Sequence, residues 1–223
     1  MPIAKSELTD TLRNTESPPE DYLAAGVFVD SDQPEIVEFA HGYAGTGEDC
    51  ERVVNLYYAV RDRIDYDPYF VGRNPDYYRA SVCLHEGRGF CIPKAALLAA
   101  CCRAINIPAR VGYADVRNHL STTRLEELIG GDVYYWHSYT DTWIEGRWIK
   151  STPAFNAELC ERLNVHPLEF DGVNDSLFQE YNRSGERHME YVNYRGAFAD
   201  VPYERIVADF AAHHRNWLAS RGD

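Results

Sequence analysis

A thiol at the start of a helix and an imidazole inside a strand are the two groups in this chain whose types and surroundings suit covalent chemistry. Cys91 follows Gly87-Arg88-Gly89-Phe90 and precedes a run, Pro93 to Ala104, that is almost wholly Ala, Leu and Cys. A helix without a polar stripe belongs inside the core. Pro93 is tolerated in its first turn, Arg103 suits its negative end, and Asn106 with Pro108 closes it. The first turn of that helix would offer unpaired N–H groups and a positive dipole end to a thiolate. Lys94 is expected to add a nearby positive charge, Gly87 and Gly89 to let the backbone turn and approach a substrate, and the Cys91 N–H to serve an oxyanion hole. Cys101 and Cys102, within the apolar run, read as packing.

The partner is His137, in the middle of Tyr134-Tyr135-Trp136-His137-Ser138-Tyr139. Val133 to Ile144 is dense in Val, Tyr, Trp and Thr, and Glu145-Gly146 separates it from Arg147-Trp148-Ile149-Lys150, the pattern of a tight hairpin. A two-residue loop sets Trp143 against Trp148, Asp141 against Lys150 and Tyr139 against Thr152. Continued, it sets Ala154 against His137, with Thr152 and Asn156 on the two diagonals. Asp141 is too far along the strand to orient the ring. Paired hairpin tryptophans usually serve sheet packing, but Trp136, beside His137, is also a candidate to line an acyl pocket.

The elements around this pair read as an α+β domain. Pro34 to Ala40 predicts a short helix, and Cys50 to Ile64 a longer one with Val53, Leu56, Tyr57, Val60 and Ile64 on its buried face. Ala109 to Tyr113 predicts a strand, followed by a polar insertion over residues 117–132 with a short helix around Leu125 to Leu128. Leu177 to Tyr181 and His188 to Tyr194 are candidate strands, and Pro202 to Leu218 a closing helix on which His213-His214 is a solvated face. Pro18 and Pro19 set off an N-terminal arm, residues 1–21, from a single domain over 22–223.

At 223 residues with 45% hydrophobic side chains the chain can bury one core unaided. Its formal net charge of -13 works against phosphate backbones and anionic membranes, so neither nucleic acid nor a membrane is an expected partner. The absence of a signal-like or membrane-length apolar run predicts a cytoplasmic protein. Six cysteines without a C-x-x-C pair, and histidines off zinc-ligand spacing, predict reduced thiols, no metal and no cofactor. Nothing in the sequence reads on oligomeric state.

The segment from Gly87 to Tyr113, with Gly89-Phe90-Cys91, the Ala/Leu-rich helix and Arg103-Ala104-Ile105-Asn106-Ile107-Pro108-Ala109-Arg110, resembles the nucleophile segment of the transglutaminase-like superfamily. His137 with Asp141 four positions on resembles that family's histidine strand, and Arg61 to Asp67, with Tyr66, its leading segment. The likeness runs over roughly residues 34–156, leaving an extension over 157–223. It implies a papain-like fold with the nucleophile-bearing helix packed on an antiparallel sheet, and a Cys-His-Asp triad with Cys91 as nucleophile and His137 as base. Tyr66, in that leading segment, joins Trp136 and Gly89 as a candidate for substrate binding.

The third position departs from the family, because Trp148-Ile149-Lys150-Ser151-Thr152-Pro153 carries Thr152 where an aspartate is expected. Thr152 through its hydroxyl, Asn156 through its amide oxygen, or a distant acid such as Asp171 could orient the ring, with Asn156 slightly preferred as the firmer acceptor. The expected function is cysteine-dependent acyl transfer or amide hydrolysis through a thioester, on a peptide, protein or small-molecule amide. A faint likeness of Arg88 to Cys91 to arylamine N-acetyltransferases suggests a related enzyme. A non-catalytic binding module with a degenerate triad is the reading from another class.

Overall fold

The computed structural model describes residues 19–219; most of the expected N-terminal arm lies outside them. The first half is helical. Helix α1 (Pro34–Ala44) begins on its proline, and α2 (Asp49–Arg63) carries acids in its first turn and arginines in its last, as the helix dipole favours. Val53, Leu56, Tyr57, Val60 and the flanking Ile64 are all buried, so the helical spacing marked the packed face correctly. A short strand β1 (Asp65–Tyr66) leads through a 3₁₀ turn to α3 (Ala80–Glu86), which ends on Gly87 in the left-handed conformation, φ 65°. Strand β2 (Arg88–Gly89) then pairs parallel with β1, setting Tyr66 against Gly89.

Helix α4 (Cys91–Ala104) is the centre of the core, buried at every residue from Cys91 to Arg103. It begins two residues before Pro93, which puts Cys91 in its first position. One face of a four-stranded antiparallel sheet, ordered β5-β4-β3-β6, covers it. The strands are β3 (Ala109–Asn118), β4 (Val133–Ile144), β5 (Arg147–Ser151) and β6 (Met189–Phe198), and the β3–β4 insertion folds as α5 (Thr123–Ile129). The β4–β5 hairpin has the register that its two-residue loop dictates, Trp143 on Trp148 and Asp141 on Lys150, with Glu145 and Gly146 at φ 50° and 82°. Thr140 Oγ1 donates to the Ala95 carbonyl at 2.8 Å, tying β4 to α4. A second apolar cluster, including Ala114, Tyr139, Met189 and Tyr191, lies apart from the main core.

After β5 come α6 (Ala157–Arg162), a long irregular segment, β6, and the closing helices α7 (Tyr203–His213) and α8 (Arg215–Leu218). Three expectations are corrected. Leu177 to Tyr181 forms no strand and holds one isolated bridge, Tyr181 to Arg187, with a second just before it from Ser176 to Ser151, because neighbouring backbone groups bond into irregular loops. The closing helix breaks at His214. His214 is buried, not solvated: its ring takes the Tyr135 N–H at 3.1 Å and meets the Ile129 carbonyl at 2.6 Å, docking the chain end on β4 and α5. Among the described residues no helix is long and apolar enough to cross a membrane.

Candidate active site

Cys91 is 8% exposed, and Phe90, the capping position before it, supplies no side-chain acceptor for the first turn. The thiol lies instead against the N–H groups of Cys91 and Ile92 and against the N–H of Ser138, the residue after His137. These donors favour a thiolate, but burial outweighs them and pushes the thiol up to about 11. Lys94 does not help, contrary to expectation. Its amine is buried, held down to about 7 by desolvation, and donates to the carbonyls of Arg61 and Ile64 at the end of α2. Gly89 is needed for close packing, since a Cβ there would meet Cys83 Sγ at 2.8 Å and Pro93 Cγ at 3.0 Å.

His137 is set by an irregularity in the sheet. The β3–β4 register slips between Ala114 and Val116, and across the slip Trp136 adopts φ 62°, which costs an ordinary residue on the order of 1–2 kcal/mol. Asp115 holds the distortion: its carboxylate accepts the Trp136 N–H at 3.2 Å and Arg195 Nε at 2.7 Å. The Trp136 indole donates to Asp209 at 2.8 Å and packs edge-on against Tyr113. Trp136 therefore fastens the backbone before His137. It is 1% exposed and lines neither of the cavities that His137 borders, which corrects the expectation that it binds substrate.

The imidazole is 7% exposed, and burial pushes it down to about 4. No hydrogen bond reaches it among the described residues. With the thiol raised and the imidazole lowered, the pair is neutral near pH 7.

Of the possible orienting residues, Thr152 shares a cavity of about 10 Å³ with His137, and its buried Oγ1 has no hydrogen-bond partner. Thr152 is fixed by its backbone, whose N–H donates to the Ser176 carbonyl at 2.9 Å and whose carbonyl accepts the Tyr57 hydroxyl at 3.3 Å. Asn156 directs its amide oxygen at the Tyr66 N–H, 3.5 Å away, and makes no bond to the ring. Asp171 is committed to an exposed turn, accepting from Val173 and Asn174. Asp141 forms a buried ion pair with Arg110 at 2.8 Å.

Tyr66 joins the two halves of the site. Its side chain lies close enough to Cys91 for the two to interact electrostatically, and it stands edge-on against Phe155. It also lines, with His137, a cavity of about 190 Å³. His188 lines that cavity as well, and Gln179 lines the small one beside Thr152. Neither was a candidate from the sequence. His188 could be found only as the first residue of a candidate strand, and Gln179 carried no signal. Among the described residues no cluster of three or more His, Cys, Asp or Glu side chains could hold a metal ion.

No curated protein matches the chain. Among solved structures, a candidate cysteine protease from Cytophaga hutchinsonii is similar at a TM-score of 0.47 and 20% identity, over 84% of this chain and 49% of that one. This chain thus spans about half the length of that structure. The family model of the transglutaminase-like superfamily matches residues 37–153, from α1 through the hairpin to the proline after Thr152. Over half its length, with Cys91 and His137 inside the match, the chain belongs to the transglutaminase-like superfamily.

Proposed function

We propose that the protein is a cysteine-dependent enzyme that cleaves an amide or thioester through an acyl-Cys91 intermediate, passing the acyl group to water or an amine. The observation that carries this reading is the contact of the Cys91 thiol with the Ser138 N–H, which sets the sulfur one residue from His137. Membership of the superfamily supports cysteine chemistry in general.

In the first step the sulfur bonds to the substrate's carbonyl carbon as its proton passes to His137. The C–N or C–S bond then breaks, and the amine or thiol leaves with that proton. Water or an amine next attacks the thioester, giving its proton to His137 and from there to the departing sulfur. Of the tyrosines that interact electrostatically with Cys91, Tyr66 is the one that also lines the large cavity with His137, and it is the candidate donor to the oxyanion, while Thr152 orients the imidazole, directly or through one water. Tyr66 acts as a neutral donor and Thr152 as a neutral acceptor of the ring N–H, in keeping with a site whose nucleophile and base rest uncharged.

The test is to incubate the protein with a panel of amides and thioesters and locate the acyl adduct by mass spectrometry. An adduct on Cys91 that fails to form in His137→Ala supports an enzyme. Absence of an adduct from every thioester, with the protein folded, would leave the binding-module reading, which the unpartnered Thr152 hydroxyl favours.

A further inference from the structure

The cavity of about 190 Å³ beside His137 is closed by the β3–β4 insertion and by the chain beyond the residues the family model matches. Leu120 and Leu125 enter from the β3–β4 insertion, and Leu159 and Leu163 from α6 and the residue after it, beyond the residues the family model matches. Tyr66 and Phe155 stand with His137 among its walls, so the cavity adjoins the base of the proposed mechanism.

Its chemistry contrasts with the rest of the molecule. The chain carries a formal net charge of -13, yet no Asp, Glu, Lys or Arg lines this space. Several of the neutral polar groups in the wall are already engaged, the exceptions being the His137 ring and the buried His188 Nδ1, which has no partner. Ser121 Oγ bonds the Tyr134 hydroxyl at 2.8 Å, Asn118 Oδ1 accepts the Leu120 N–H at 3.0 Å, and Thr122 Oγ1 accepts the Leu125 N–H at 3.3 Å. His188 is 3% exposed and lowered by burial and by His119, so it adds no charge near pH 7. A charged group placed here would lose its water with no opposite charge to meet it, and an amide would regain only part of its bonds, from ring nitrogens such as His188 Nδ1. An apolar cavity of roughly 150 Å³ accommodates benzene, so this one has room for an aromatic ring or a branched aliphatic group.

We infer that this cavity is the acyl-side specificity pocket. The substrate class is then an amide or thioester whose carbonyl is flanked by an uncharged aromatic or branched aliphatic group, a peptide with such a side chain included. Glutamate and lysine side chains are excluded, and glutamine is disfavoured. The inference rests on the acyl-enzyme reading and goes further by naming the group that is bound.

The experiment compares N-acetyl-aminoacyl thioesters with one common leaving thiol, carrying phenylalanine, leucine, glutamine, glutamate or lysine, on the full chain. Phenylalanyl and leucyl thioesters should give kcat/KM at least about tenfold above the other three. In Leu159→Asp the phenylalanyl-to-lysyl ratio should fall by at least about tenfold, a ratio that loss of folded protein alone does not move. Equal rates across the panel, or a preference for a charged or amide side chain, overturns the inference while leaving the acyl-enzyme intact. If no thioester acylates Cys91, the enzyme reading fails and the pocket is judged by binding. N-acetyl-phenylalaninamide should then perturb the methyl resonances of Leu125 and Leu159 in Cys91→Ala where N-acetyl-glutaminamide does not, and no perturbation at millimolar ligand overturns it.

Discussion

The Cys91 thiol rests against the backbone N–H of Ser138, the residue that follows His137 in β4. Three N–H groups thus face a sulfur that burial still keeps protonated, with a pKa pushed up to about 11, while burial pushes the imidazole of His137 down to about 4. A thiolate–imidazolium pair formed in advance would make alkylation of Cys91 nearly flat between pH 5 and 8. The neutral pair found here predicts a rate with iodoacetamide that climbs about tenfold per pH unit from 6 towards 10, because only the thiolate reacts. Measured by mass spectrometry at Cys91 itself, a plateau already reached at pH 6 would sink the neutral-pair account.

Tyr66 stands close to Cys91 and lines the large cavity, and burial pushes its phenol well above its ordinary value, so it keeps its proton as a donor. If it donates to the oxyanion, Tyr66→Phe should lower kcat by about 10²-fold with little change in KM, since that bond strengthens only in the transition state. The alkylation rate of Cys91 should hardly move. A variant with unchanged kcat would remove Tyr66 from the chemistry.

At the third position, Thr152 carries a hydroxyl that is buried without a partner in the same cavity as His137. Thr152→Val keeps the shape and deletes that hydroxyl. A group bonded to nothing contributes little, so stability should stay within about 1 kcal/mol of the parent or rise. Turnover should nonetheless fall if the hydroxyl orients the ring during reaction. Thr152→Asp should raise the imidazole pKa and move the acid limb of the pH–rate profile to higher pH, because the base must be uncharged to take the thiol proton. Unchanged turnover in the valine variant, together with an unmoved profile in the aspartate variant, would show that Thr152 does not address His137.

The main elements were legible because local chemistry set them. The Ala/Leu run from Ala95 had to be a core helix, Glu145-Gly146 had to be a two-residue turn, and the register followed to Asp141 on Lys150. What escaped depended on tertiary contact. Lys94 reads as a charge near the thiol, yet its direction is decided by two carbonyls ending α2, far back in the chain. His214 reads as surface until Tyr135 and Ile129 claim its ring. Trp136 reads as a pocket wall in a regular strand, and no local pattern announces the register slip that Asp115 stabilises. The large cavity draws on residues from Tyr66 to Met189, a span over which periodicity says nothing.

That slip gives a test of positioning at a distance from substrate. Asp115 touches neither Cys91 nor the cavities, but it holds the Trp136 N–H and Arg195. Asp115→Ala should release the left-handed turn before His137 and lower kcat by about tenfold or more, with the iodoacetamide rate of Cys91 less affected. Asp115→Asn, which keeps an acceptor for the Trp136 N–H, should recover part of the loss. Equal activity in the alanine variant would mean that the bulge does not aim the imidazole.

Stability should also report the buried imidazole. His137 titrates at about 4 in the folded chain against 6.5 when unperturbed, so between those values the unfolded chain binds the proton and the folded chain does not. Stability therefore rises with pH through this window, and its contribution is lost as pH falls from 6.5 towards 4. The gap corresponds to about 3 kcal/mol as an upper figure. His214, buried and lowered in the same direction, adds to the slope, whereas Asp62 and Asp171, both held below 3.8, act only at lower pH. Urea titrations at pH 4.5 and 7.5 should show the parent losing more stability on acidification than His137→Gln, by about 2–3 kcal/mol. An identical loss in both proteins would mean that the His137 ring is hydrated or protonated in the folded state, against its burial beneath the cavity walls.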